Sequence, residues 1–148
     1  MKEWFTHNIK NKIIALIIGA IIFGGLQVLS MTALKDVYLF DWLGRRLYCY
    51  VWIPVIWFTL FNKLAVSYSI TLGNLAATIT GELLGGYIRG IRMERITPET
   101  PSDQVYFLSG HDGVFIWAAV LAVCVVVGII IEWIIGKRKK RVEKNAKT

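Results

Sequence analysis

Glu82 is the residue in this chain best placed to do chemistry. It is the one ionisable group in Leu64–Ile88, a 25-residue stretch bounded by Lys63 and Arg89. A carboxylate at the centre of a membrane helix costs about 2.5 to 3.5 kcal/mol on insertion scales, and less toward the surface. It therefore needs a partner: a proton, a cation, a solute amine or a neighbouring helix. Ser67, Thr71, Asn74, Thr78, Gly81 and Gly85 follow at steps of four, three, four, three and four. A helix puts all six on one side, with Glu82 beside them and Arg89 one turn beyond Gly85. Gln27 and Ser30, in an earlier apolar segment, fall at a depth comparable with Glu82. Glu82, Asn74, Thr78, Gln27, Ser30 and Arg89 are thus the candidate ligand-binding residues. They are expected to line a shallow, outward-facing polar pocket between the first and third spans. The competing reading makes the stripe a helix-packing surface, since Gly, Ser and Thr let backbones approach closely. Glu82 is then held by an interhelical hydrogen bond or an ion pair with Arg89 or Arg92.

The other reactive side chains point to structure. His111 and Asp112 are adjacent and flanked by glycines, which marks a turn; consecutive side chains rarely aim at one target. Glu132 stands five residues before Lys137 and is expected to reach water or the basic tail. It lies toward the opposite leaflet from Glu82, so the two cannot act as an acid and base pair. Cys49 is expected near the outer surface and Cys124 near mid-membrane. A disulfide needs Cα atoms within about 7 Å, so this pair should not bridge. No Cys or His cluster has metal-ligand spacing. No glycine loop follows a strand as phosphate binding requires, and no nucleophile has a placed base. No metal, cofactor or enzymatic activity is read here.

Apolar helices must position these residues. The chain has 148 residues, 55% of them hydrophobic, and about 20 apolar residues cross a bilayer core. Ile13–Leu34 runs 22 residues without a charge, longer than a signal-peptide core and without a small-residue cleavage pattern. It reads as a retained first span. Its Ala15/Gly19 and Ala20/Gly24 pairs suit helix contact, and Trp4 and Phe5 anchor its start. Lys35–Arg46 has the composition of a segment lying among headgroups. Leu47–Phe61 is a short second span of about 22 Å, with Pro54 in its middle. Asn62 and Lys63 turn tightly into the third span, Leu64–Ile88. That helix continues through Arg89, Arg92 and Arg95 until Thr97–Pro101 stops it. A loop over 102–113 leads to the fourth span, Val114–Ile135, where Ala118 and Ala122 offer a small face. The expectation is one all-α integral membrane domain over residues 1–148, a four-transmembrane-helix bundle.

Charge sets the orientation. The net charge is +7, and the last twelve residues hold seven Lys or Arg against one Glu. With four spans, eleven basic residues share the side of the two chain ends and six lie on the other. The excess belongs in the cytoplasm. Both ends are therefore expected there, in the cytoplasmic membrane of a bacterium-like cell, with the tail attracting anionic lipids. The tail lacks the aromatic or structured partners that nucleic-acid binding needs.

Among four-span families, TGELLGGYIRG superficially looks like the catalytic helix of signal peptidase II. The catalytic aspartate is missing from it, and from the fourth span, so no activity carries over. The first-span glutamate of small multidrug exporters and the first-span glycine-arginine pattern of fluoride channels are missing too. Vitamin-importer components share the glycine-rich look but normally have six spans. The function expected from the residues is a transport component binding a small solute or cation around Glu82, as a homo-oligomer or with a partner membrane subunit. The alternative is a non-catalytic accessory or assembly subunit that docks partner helices through the Gly/Ser/Thr stripe.

Overall fold

The structure is a computed structural model. It describes residues 2–46 and 48–145, without the side chains of 2–8, 46, 48–49, 140 and 143–144. Trp4, Phe5 and Cys49, assigned above as anchors and a lone thiol, have side chains outside that set; Cys124 is a free thiol. Among the described residues six helices follow in order: α1 (Lys2–Met31), α2 (Tyr38–Arg46), α3 (Tyr48–Leu60), α4 (Leu64–Met93), α5 (Ser102–Leu108) and α6 (Gly113–Asn145).

α4 is the hub, packed along α6 and touching α1, α2, α3 and α5. The polar stripe faces inward: Ser67, Thr71, Gly73, Asn74, Thr78, Gly81 and Gly85 are all buried. Leu72, Ile79, Leu83 and Tyr87 face out. Glycine brings α4 and α6 together as antiparallel neighbours. Gly128 meets Ser69, Gly73 meets Cys124, and Gly81 and Gly85 both meet Gly113. A Cβ on Gly81 would lie 2.7 Å from the Gly113 carbonyl oxygen, and one on Gly85 would lie 2.6 Å from the Gly113 nitrogen. Neither gap admits a side chain. The face of α6 that packs on α4 is thus Gly113, Trp117, Leu121, Cys124 and Gly128, while Ala118 and Ala122 are exposed.

The tight turn at Asn62 is a Schellman motif. Asn62 takes φ 59°, Lys63 N–H donates to Phe58 O at 2.8 Å, and Asn62 N–H donates to Thr59 O at 3.2 Å. Asparagine tolerates this left-handed backbone better than other side-chain-bearing residues. At the same end, Lys12 Nζ donates to Leu60 O, an otherwise unpaired last-turn carbonyl of α3.

Two segments depart from expectation. Lys35–Arg46 does not simply lie among headgroups: α2 buries Leu39 and Leu43 completely against the protein. Three apolar residues on one face of a short helix fill a gap between larger helices, and α2 accordingly touches both α1 and α4. The 102–113 loop contains α5, which begins directly after Pro101. Proline suits a helix entry because its missing N–H has no partner there in any case.

Two stretches, Ile9–Met31 and Ser102–Lys139, are long and apolar enough by length and composition to cross a membrane, and Tyr50–Leu60 is a shorter apolar helix. α4 is as long as α1, but Ser, Thr, Asn and Gly dilute its apolar content. Only 11% of the most apolar window in Ser102–Lys139 is buried in the chain. Val123, Val126, Val127, Ile129 and Ile130 point outward, as do Ile13, Ile17 and Ile21 of α1, while Val114, Val120 and Val125 pack on the core.

Candidate functional site: Glu82 between two helix starts

Glu82 sits where α4 meets the beginnings of α2 and α6. Leu39 N–H, in the first turn of α2, donates to Glu82 Oε2 at 2.8 Å. The first N–H groups of a helix have no partner inside it and carry the positive end of its dipole. The carboxylate answers both needs at once. Its other oxygen, Oε1, lies 3.7 Å from His111 Nε2.

His111 belongs to the turn that leads into α6. Its side chain is 4% exposed, against 24% for Glu82, so the imidazole is walled in while the carboxylate still reaches the surface. Gly113 N–H donates to His111 Nδ1 at 3.0 Å, which places the proton of a neutral imidazole on Nε2. That nitrogen is buried and makes no hydrogen bond. Tyr38 stacks on the ring at 4.3 Å. Burial lowers the His111 pKa from its ordinary 6.5, Glu82 opposes this, Arg89 reinforces it and Asp112 opposes it. An imidazole packed under a glycine-lined turn loses more hydration than one nearby carboxylate restores.

The neighbouring charges pair elsewhere. Arg92 and Asp112 form an ion pair at 2.6 Å, and Arg89 Nε is buried without a hydrogen bond. Glu82 therefore contacts neither arginine through a salt bridge among the described residues. Two adjacent residues, His111 and Asp112, serve two targets. That is why their adjacency in sequence did not reveal a site.

The remaining candidates are spread over other contacts. Asn74 Oδ1 accepts from Trp117 Nε1 at 3.0 Å, with Asn74 fully buried. Thr78 Oγ1 donates to Asn74 O at 2.8 Å within α4, so Asn74 is the one of the two whose hydrogen bond reaches α6. Gln27 Nε2 donates to Gly44 O at 3.3 Å, and Ser30 Oγ donates to Leu26 O. Gly44 lies close above Ser30; a Cβ there would be 3.0 Å from Ser30 Cβ. Gln27 and Ser30 thus meet one side of α2, and Glu82 meets the other. The expected partnership across the first and third spans is interrupted by α2, part of the segment whose composition suggested a place among headgroups.

Glu132 repeats the device at the opposite end. Ala65 N–H, in the first turn of α4, donates to Glu132 Oε2 at 3.2 Å, and Lys63 Nζ lies 3.9 Å from Oε1. It faces α4, where water or the basic tail was expected. Among the described residues no three His, Cys, Asp or Glu side chains converge as a metal centre requires. Comparison with protein-family models, with curated proteins and with solved structures finds no match.

Proposed function

We propose that the chain is a four-span protein of the cytoplasmic membrane with both ends in the cytoplasm. Its Glu82–His111 pair binds a small polar solute at the outer face as part of a transport component. The observation that carries the reading is His111 Nε2: a buried donor without an acceptor, aimed at a half-exposed carboxylate 3.7 Å away. With its proton on Nε2 and its Nδ1 lone pair taken by Gly113 N–H, the neutral imidazole can donate but has no free lone pair for a cation. A group that accepts from His111 and donates to Glu82 therefore fits best, and a solute hydroxyl does both. An amine satisfies Glu82 alone.

The membrane setting is supported by the outward apolar surfaces of α1 and α6. In water they form a patch far beyond what soluble monomers expose. A partner subunit or second copy has the open small faces at Ala20–Gly24 and Ala118–Ala122 to pack on. The α4 stripe is filled by the chain's own α3 and α6, which weighs against the accessory-subunit reading that used it. Swelling of proteoliposomes in glycerol, erythritol, ethanolamine and choline tests the proposal. At least one solute enters faster than into empty vesicles, and Glu82→Gln removes the difference. Equal rates for the wild type and the variant in all four solutes end the transport reading.

A further inference from the structure

At the end of the molecule opposite Glu82, a groove of about 680 Å³ opens between α3, the start of α4 and α6. Its floor is apolar, made by Phe58, Val66, Ile129 and Trp133, and Gly136 leaves its wall open. Two ammonium groups stand over it. The side chain of Lys63 is 54% exposed, and Lys137 Nζ rests 3.6 Å from the centre of the Trp133 ring. A cation over a ring face keeps its N–H donors for another acceptor. The lone carboxylate in the lining, Glu132, is already engaged by Ala65 N–H and by Lys63. The groove is therefore an apolar channel with surplus positive charge at its mouth. The exposed Trp57, Phe61 and Trp133 ring the same end, as aromatic side chains do at a membrane interface.

We propose that this groove holds one anionic glycerophospholipid, its phosphate between Lys63 and Lys137 and an acyl chain against Phe58, Val66 and Ile129. Charge complementarity picks this occupant. A zwitterionic lipid gains little from the surplus positive charge, and an apolar partner helix would bury the Lys137 ammonium without a counter-charge, Glu132 being taken up by Lys63. The inference rests on the membrane reading and is independent of Glu82. It differs from the diffuse attraction of the basic tail in assigning one lipid to named side chains.

Native mass spectrometry of the full chain, released from detergent with equal phosphatidylglycerol and phosphatidylcholine, reads the site directly. The wild type keeps one phosphatidylglycerol in roughly tenfold preference, the scale two lysines supply at an anionic surface. Lys137→Gln and the double variant Lys63→Gln/Lys137→Gln lose the preference. The charge-matched control Lys139→Gln/Arg141→Gln keeps it. Circular dichroism on each variant restricts the comparison to folded protein, and Lys137→Gln alone tests the site if the double variant does not fold. Retention unchanged by the groove variants, or lost equally in the control, overturns the site and leaves the membrane reading standing. Displacement of the adduct by inorganic phosphate alone shows an anion site without a lipid and also overturns it. A chain that stays monodisperse in buffer without detergent overturns the membrane reading and the lipid site together.

Discussion

At the residue scale, Glu82 has two separable duties: capping α2 through Oε2 and facing His111 through Oε1. Glu82→Gln keeps a carbonyl oxygen for Leu39 N–H and removes the charge. It should leave thermal unfolding in detergent nearly unchanged while abolishing solute entry. Glu82→Ala orphans the Leu39 donor and should cost about 1 kcal/mol, the usual value of a lost helix cap. If Gln and Ala destabilise equally, the cap is not what holds α2. His111 supplies the pH dependence. Its folded pKa lies below the ordinary 6.5, so the native state binds its proton less readily than the unfolded chain does. The stability this contributes is complete above pH 6.5 and is lost as pH falls through the lower folded value. The melting temperature should drop as pH falls from 6.5 toward the folded value, and the drop should be shallower in His111→Asn. Parallel profiles for the two proteins would show that His111 is not the titrating group.

At the scale of elements, glycine sets the spacing of α4 and α6. On the proposed membrane reading, lipid is as apolar as the neighbouring helix, so close contact and hydrogen bonds would hold the pair together. Gly81→Ala and Gly85→Ala push a methyl into the backbone at Gly113, and each should cost about 1 to 3 kcal/mol, as overpacking does. Gly90 lies on the same helix with nothing near its missing side chain. Gly90→Ala should be neutral or stabilising by up to about 1 kcal/mol through helix propensity. Melting curves of the three variants in one detergent decide the matter, and a costly Gly90→Ala would contradict the packing account. A second seam joins α3 to α4, where Thr59 and Ser67 hydroxyls meet at 2.7 Å. With one proton each, one hydroxyl donates across the seam and the other to Val55 O, which both can reach, so neither is left unpaired.

For the whole molecule, the arrangement of ends is the testable feature. Lys12 reaches Leu60, and Glu132 reaches Ala65, so the early part of α1 and the later part of α6 gather at the Asn62 turn. Glu82, Arg92, His111 and Asp112 gather at the other end. Reporter fusions to the first and last residues should both read as cytoplasmic, and a fusion after Thr100 should read as external. Opposite readings for the two chain ends would exclude the four-span arrangement.

Hydrophobic run length and periodicity located apolar helical segments inside α1, α3, α4 and α6, although α1 begins well before its apolar run and α6 continues well past it. They also identified the buried side of α4, because a six-residue stripe of small and polar side chains has one helical face to occupy. The Asn62 turn is equally local, set by backbone preferences of its own residues, whereas α4 ends at Met93, short of Arg95 and of the Thr97–Pro101 stop read from the prolines. Tertiary structure decided what the carboxylates meet. Glu82 and Glu132 each find a helix start that is distant in sequence, and an unpaired N–H is present in every helix, so no residue type marks the one chosen. His111 entered the site because Gly81, Gly85 and Gly113 bring α6 against α4, a closeness that belongs to two chains of backbone and not to any motif. The insertion of α2 between α1 and α4 likewise depends on the space left by larger helices, which amphipathic spacing cannot report.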